Sequence, residues 1–139
     1  MTTILDVQNL YKIFELHILG GKQIRALEGI SFKLEEGEAI GLTGSSGSGK
    51  STLMKCIYRT YATTSGNIIY NSKQYGNTNL SVANEHIILR LRREEMTYCS
   101  QFLSVIPRVS ALEIVAQALV VKNGHTLSDA VKTTKTYFE

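Results

Sequence analysis

The residues Gly44-Ser45-Ser46-Gly47-Ser48-Gly49-Lys50-Ser51 follow the order Gly, four residues, Gly-Lys-Ser, and these residue types suit the binding of a polyphosphate. Glycines let a backbone curl tightly enough to aim several N–H groups at one anion. A helix starting at the loop's end adds the partial positive charge of its N-terminus. In this arrangement Lys50 neutralises the β- and γ-phosphates of a nucleoside triphosphate. The Ser51 hydroxyl is a ligand for Mg²⁺, and Thr52 reaches the α-phosphate. The expected ligand is Mg-ATP.

The surrounding elements are of the kind that could position such a loop. Ala39-Ile40-Gly41-Leu42-Thr43 is a nearly continuous apolar run, which suits a strand of a parallel sheet covered on both faces. After the loop, a helix is expected from about Lys50 to Arg59. Its Leu53, Met54, Cys56 and Ile57 fall at helical spacing, so Cys56 reads as a buried thiol. Upstream, Ile4–Gln8, Ile13–Leu19, Gln23–Leu27 and Ile30–Leu34 read as short strands, with a hairpin-like turn at Gly20-Gly21. Downstream, Asn67–Tyr70 and Met96–Cys99 read as strands and Val82–Arg93 as a helix. Ser110-Ala111-Leu112-Glu113 is a capping box ahead of a helix at about Ala111–Val121. Asn123-Gly124 is a turn, and a last helix is expected from Ser128 with nothing to close it before Glu139.

Composition excludes several functions. The 139 residues, 43% hydrophobic and 19% charged, suit one globular domain. A net charge of +3, from 15 Lys and Arg against 12 Asp and Glu, is too small to imply nucleic-acid binding. Arg90, Arg92 and Arg93 run into Glu94 and Glu95, as on a solvated helix face. Cys56 and Cys99 form neither a metal knuckle nor a redox pair. His17, His86 and His125 lack ligand spacing. No apolar run is long enough to span a membrane and no secretory leader is visible. The expected location is cytoplasmic, without direct membrane insertion.

Beyond the loop, the chain resembles the nucleotide-binding domain of ABC-type ATPases over nearly its whole length. The resemblance is carried by Leu27–Glu38, Gly44–Leu53, Ser65-Gly66-Asn67-Ile68 and Leu91-Arg92-Arg93. It implies an α/β P-loop NTPase fold in three parts. An antiparallel β region occupies about residues 1–38, a phosphate-loop core about 39–101, and a partial helical region about 102–139. Within the superfamily, Ser100–Glu113 resembles the PhnL family, ATPase subunits of the bacterial carbon–phosphorus lyase system for phosphonate breakdown. His17-Ile18-Leu19 and Tyr58–Tyr61 add to that likeness. Lipoprotein-release and macrolide-exporter ATPases share much of the pattern and are the alternative.

The resemblance carries over further roles. Phe14 stands where the family stacks an aromatic ring on adenine, with Tyr11 a weaker candidate. Gln101 stands at the Q-loop glutamine, which contacts Mg²⁺ and the attacking water. A second ABC-type domain, as homo- or heterodimer, and other carbon–phosphorus lyase subunits are the implied partners. The family's LSGGQ segment, the strand ending in Asp-Glu and the switch histidine have no match. The sequence is therefore expected to stop mid-domain, with the binding half of the apparatus and not the hydrolytic half. A truncated, non-hydrolytic nucleotide-binding product is a further reading. The family's later strands flank the one leading into the loop. Without them, Ala39–Thr43 and Met96–Cys99 are expected to lack neighbours, leaving the chain alone unstable with ATPase activity near background.

Overall fold

A computed structural model describes residues 2–16, 21–101, 108–124 and 126–138. The chain divides into two compact units, Met1–Glu95 and Met96–Glu139. The first contains a four-stranded antiparallel sheet. Its strands are β1 (Thr3–Leu16), β2 (Lys22–Glu35), β3 (Ser65–Ser72) and β4 (Gly76–Asn79), in the order β2-β1-β3-β4.

Four short strands were expected before the loop, and two long ones are present. Ile4–Gln8 and Ile13–Leu16 belong to a single β1. Gln23–Leu27 and Ile30–Leu34 belong to a single β2. Both pass through irregular register, with shifts between Val7 and Leu10, Leu10 and Lys12, and Lys12 and Ile13. The side chains show why. Leu5 and Val7 are buried two residues apart, and the next buried residue is Leu10. Strict alternation would turn Leu10 outward. An extra residue restores its face, as a β-bulge does. Asn9 takes the left-handed conformation there (φ 50°), which Asn tolerates better than most residues. Its N–H donates to Ser31 Oγ on β2 at 2.8 Å. The last residues of the second expected strand, with His17, lie outside the described residues, as does His125.

α1 (Lys50–Ile57) ends two residues before the expected Arg59, because Arg59 turns left-handed (φ 65°). Its buried stripe is Leu53 and Cys56, with Cys56 fully buried. Burial pushes the Cys56 thiol above its ordinary range, with Lys12 and Arg59 pulling weakly the other way. α2 (Glu85–Glu94) starts three residues later than expected, capped by Asn84, whose side chain accepts from the His86 N–H. Val82 lies before it and is exposed. The core of this unit is Leu5, Val7, Leu10, Leu27, Leu53, Cys56, Ile68, Leu80, Ile88 and Leu91. Each large side chain fully buried there contributes about 1.5–3 kcal/mol.

Two expectations fail at the level of pairing. Ala39–Thr43 and Met96–Cys99 are not strands. No strand among the described residues pairs with either, and an apolar sequence alone makes no ladder hydrogen bonds. The arginine cluster also divides. Arg93 is exposed, but Arg92 Nε donates to the Tyr58 carbonyl at 2.9 Å, with its guanidinium 4.7 Å from that ring's centre. Arg90 donates to Tyr75 Oη at 3.2 Å. Arg92 thus packs where a solvated face was expected.

In the second unit, α3 (Ala111–Asn123) and α4 (Leu127–Lys135) form a helical pair. The Ser110–Glu113 capping box is formed in both directions. Hydrogen bonds from the Ser110 N–H and hydroxyl hold the Glu113 carboxyl below its ordinary range. Gly124 ends α3 in the left-handed region, so Asn123 is helical and Gly124 alone makes the turn. α4 is capped by Thr126 and begins one residue before the expected Ser128. It also closes at Lys135, against the expectation that nothing ends it. Ala116 on α3 and Ala130 and Thr134 on α4 are its fully buried residues among those described.

Candidate functional site

The phosphate loop joins β2 to α1 by way of residues 36–49. All of Gly44 to Ser48 is exposed, and Gly49 and Lys50 are half-buried. Gly49 is the N-cap of α1, with φ 91° and no side-chain cap. A Cβ at this position would overlap the Ala26 carbonyl oxygen and press on Leu27. Glycine is thus required twice over, for the backbone angle and for contact with β2. At Gly44 (φ 145°) the backbone angle favours glycine, while a Cβ there would meet only Ser48, its Oγ at 2.8 Å, a side-chain atom that can turn away.

The uncapped end of α1 has the electrostatics of an anion site. The first-turn amides have no intrahelical acceptor, no side chain caps them, and no acidic residue stands in the first turn. The Lys50 ammonium donates to the Gly44 carbonyl at 2.8 Å, the Ser45 carbonyl at 2.7 Å and Ser48 Oγ at 3.2 Å. It therefore stands across the curl of the loop. Ser51 is exposed and Thr52 half-buried in the same first turn. These residues fit a nucleoside triphosphate: a glycine cradle that Cβ atoms would fill, a cation across it, and free helix amides. They also fit Mg²⁺ in the way a nucleotide brings it. No group of three or more His, Cys, Asp or Glu able to hold a metal ion occurs among the described residues, and Mg²⁺ with phosphate and water needs only one or two protein oxygens. Ser51 would supply one.

The other expected site residues fall as follows. Phe14, on β1, pairs across the hairpin with Ile24, two residues from the Ala26 that abuts the loop. Its ring meets Tyr61 edge-to-face, with centres 5.3 Å apart at 83°, and the Lys12 ammonium lies 4.7 Å from its centre. Tyr11 is placed apart from Phe14, its hydroxyl facing Gly29. Gln101 is exposed and belongs to the second unit. Sequence reasoning gave no site role to Tyr61, Lys12 or Lys55. Lys55 stands 5.2 Å over the Tyr61 ring. The signal available was only their alternation of cations and aromatics on two separate segments.

Beneath the loop, a cleft of ≈ 320 Å³ is lined by Leu27, Ile30, Phe32, Leu42 and Leu53 on one side and by the loop on the other. A second cleft of ≈ 380 Å³ runs along Leu5, Leu34, Ile40, Met54 and Ile57. Together they border the unpaired segment 39–43.

Residues 27–137 match the ABC transporter family. The chain belongs to that family. Two relatives are the lipoprotein-releasing system ATP-binding protein LolD 2 of Chlorobium chlorochromatii and the oligopeptide transport ATP-binding protein AppF of Bacillus subtilis. LolD 2 is 29% identical over 94% of this chain, and AppF 28% over 91%. The chain spans 53% and 39% of their respective lengths, about half or less. In fold it is similar to the ATP-binding cassette MJ0796, solved as a dimer in a post-hydrolysis state bound to ADP and Pi. The TM-score is 0.80 at 24% identity, over 96% of this chain and 55% of that one. The likeness supports the expected P-loop fold of an ABC ATP-binding domain, antiparallel sheet included. No helix among the described residues is long and apolar enough to cross a membrane.

Proposed function

We propose that the chain is the nucleotide-binding part of an ABC transporter's ATPase, of the lipoprotein-release or oligopeptide-transport kind. The observation that carries this reading is the loop itself, with Lys50 drawn across the Gly44 and Ser45 carbonyls at the uncapped start of α1. The ligand is Mg-ATP, whose phosphoanhydride supplies the free energy. The chain's own residues bind and orient it. Amides from Ser46 to Thr52 wrap the phosphates, Lys50 balances their charge, Ser51 holds Mg²⁺, and Thr52 reaches the α-phosphate. Phe14 stacks on adenine. Gln101 contacts Mg²⁺ and water. A second ABC-type domain completes the site, and the location is cytoplasmic.

The phosphonate reading rests on the run Ser100–Glu113, of which residues 102–107 lie outside the described residues. In it, the chain is an ATP-binding subunit bound to other carbon–phosphorus lyase subunits. The named relatives are transport ATPases, which favours the transporter motor.

Two measurements test the proposal. Titration with Mg-ATP should give saturable binding that Lys50→Ala weakens by about ten- to a hundredfold, since hydrogen bonds to charged groups contribute roughly 1.5–3 kcal/mol. Unchanged affinity would sink the loop assignment. Affinity capture with a membrane permease as prey, against carbon–phosphorus lyase subunits, separates the two physiological readings.

A further inference from the structure

The loop that follows α1 does more than connect it to β3. It is fastened at both ends: the Tyr61 N–H donates to the Lys55 carbonyl on α1 at 3.1 Å, and the Thr64 N–H donates to the Tyr11 carbonyl on β1 at 2.9 Å. The Ile13 N–H donates to Thr64 Oγ1 at 2.9 Å, immediately before Phe14. Between these ties the Tyr61 ring meets Phe14 edge-to-face, and Lys55 covers Tyr61. Lys12 and Lys55 therefore each stand over one ring of a coupled pair. The helix whose first turn is read as the phosphate site thus reaches, from its last turn, Tyr61, which in turn meets the ring expected to take the base. α1 has eight residues, hence is about 12 Å long, and it is a rigid spacer between the two.

We propose that Tyr61 is a positioning residue that fixes the Phe14 ring for stacking on a purine base, so that it acts on the base and not on the phosphates. This rests on the reading of Phe14 as the base-stacking residue. An aromatic ring held by a single χ1–χ2 pair on a half-exposed strand has several orientations. An edge-to-face neighbour selects one, and such pairs contribute beyond their buried area. The interaction needs the ring of Tyr61 and not its hydroxyl.

The test compares two ligands, Mg-ATP and inorganic tripolyphosphate with Mg²⁺, by calorimetric titration of the chain. Tyr61→Leu is expected to weaken ATP by about three- to tenfold and to leave tripolyphosphate within about twofold. Tyr61→Phe should match the unaltered chain for both. Tyr61→Met, which fills the space with a flexible thioether, gives the same comparison if the leucine variant does not fold. Equal weakening of both ligands, or of neither, overturns the proposal, as does loss of the ATP preference in Tyr61→Phe. Phe14→Leu serves as the control for the underlying reading. If it leaves the ratio of the two affinities unchanged, the base site itself is misassigned. If it lowers that ratio while Tyr61→Leu does not, only the role given to Tyr61 falls.

Discussion

The core-facing side of the sheet and the segment Ala39–Thr43 are both apolar and opposite in fate. In the sheet, Leu10 and Ile68 are fully buried and lie on strands that pair on both sides. In the segment, Ile40 and Leu42 are 41% and 37% exposed, no strand among the described residues pairs with them, and apolar clefts lie alongside. The difference teaches that apolar patterning records what a segment suits, whereas burial depends on what is there to cover it. Local geometry is indifferent to that distinction. The phosphate loop keeps its form because Gly49, α1 and β2 hold it, even though the segment feeding it stands bare.

The sharpest way to break the comparison is to make equivalent cuts in both regions. Leu10→Ala or Ile68→Ala should lower unfolding free energy by about 2–5 kcal/mol, the usual cost of such truncations in a packed core. Urea titration would read this. A loss under about 1 kcal/mol would mean the sheet is far less packed than it looks. Lys50→Ala comes next, acting on nucleotide affinity as stated above and hardly on melting. A pH titration addresses the join between β3 and α2. Burial pushes the Glu95 carboxyl up, but hydrogen bonds from Ser72 Oγ, the Lys73 N–H and Tyr70 outweigh it and leave it below the ordinary range. The Ser72 hydroxyl donates at 2.8 Å and the Lys73 N–H at 3.0 Å. Its neighbour Tyr70 is pushed up to about 12, first by burial and then by Glu95. A depressed folded pKa means stability present above the unfolded value, near 4.3, and lost as pH falls through the folded one. Glu95→Gln should therefore flatten the acid limb of a stability–pH curve, and an unaltered limb would refute the linkage. The smallest effect belongs to the bare segment. Leu42→Thr should change stability by no more than about 0.5 kcal/mol and reduce self-association at high concentration, read by light scattering. A core-sized loss there would erase the contrast.

The loop and its helix were legible because their residues act locally: Gly49 sets its own backbone angle, and Leu53 and Cys56 declare a helical stripe. The capping box at Ser110 was legible for the same reason. Long-range features were not. The merging of four expected strands into β1 and β2 depends on a bulge at Asn9, where a left-handed residue breaks the alternation. β4, Gly76-Asn77-Thr78-Asn79, has no apolar residue to betray it. It forms because β3 offers it a paired edge. Tyr61 entered only as part of a family likeness, with no site role, and only folding brings it to Phe14.

The contact between Gly49 and the Ala26 carbonyl has one more implication. A peptide excised from Leu42 to Ile57 would carry every group assigned to the phosphates yet lack the strand against which its curvature is gauged. Grafting those sixteen or so positions onto another scaffold should transfer chemistry only if the recipient offers a backbone oxygen at the same stand-off.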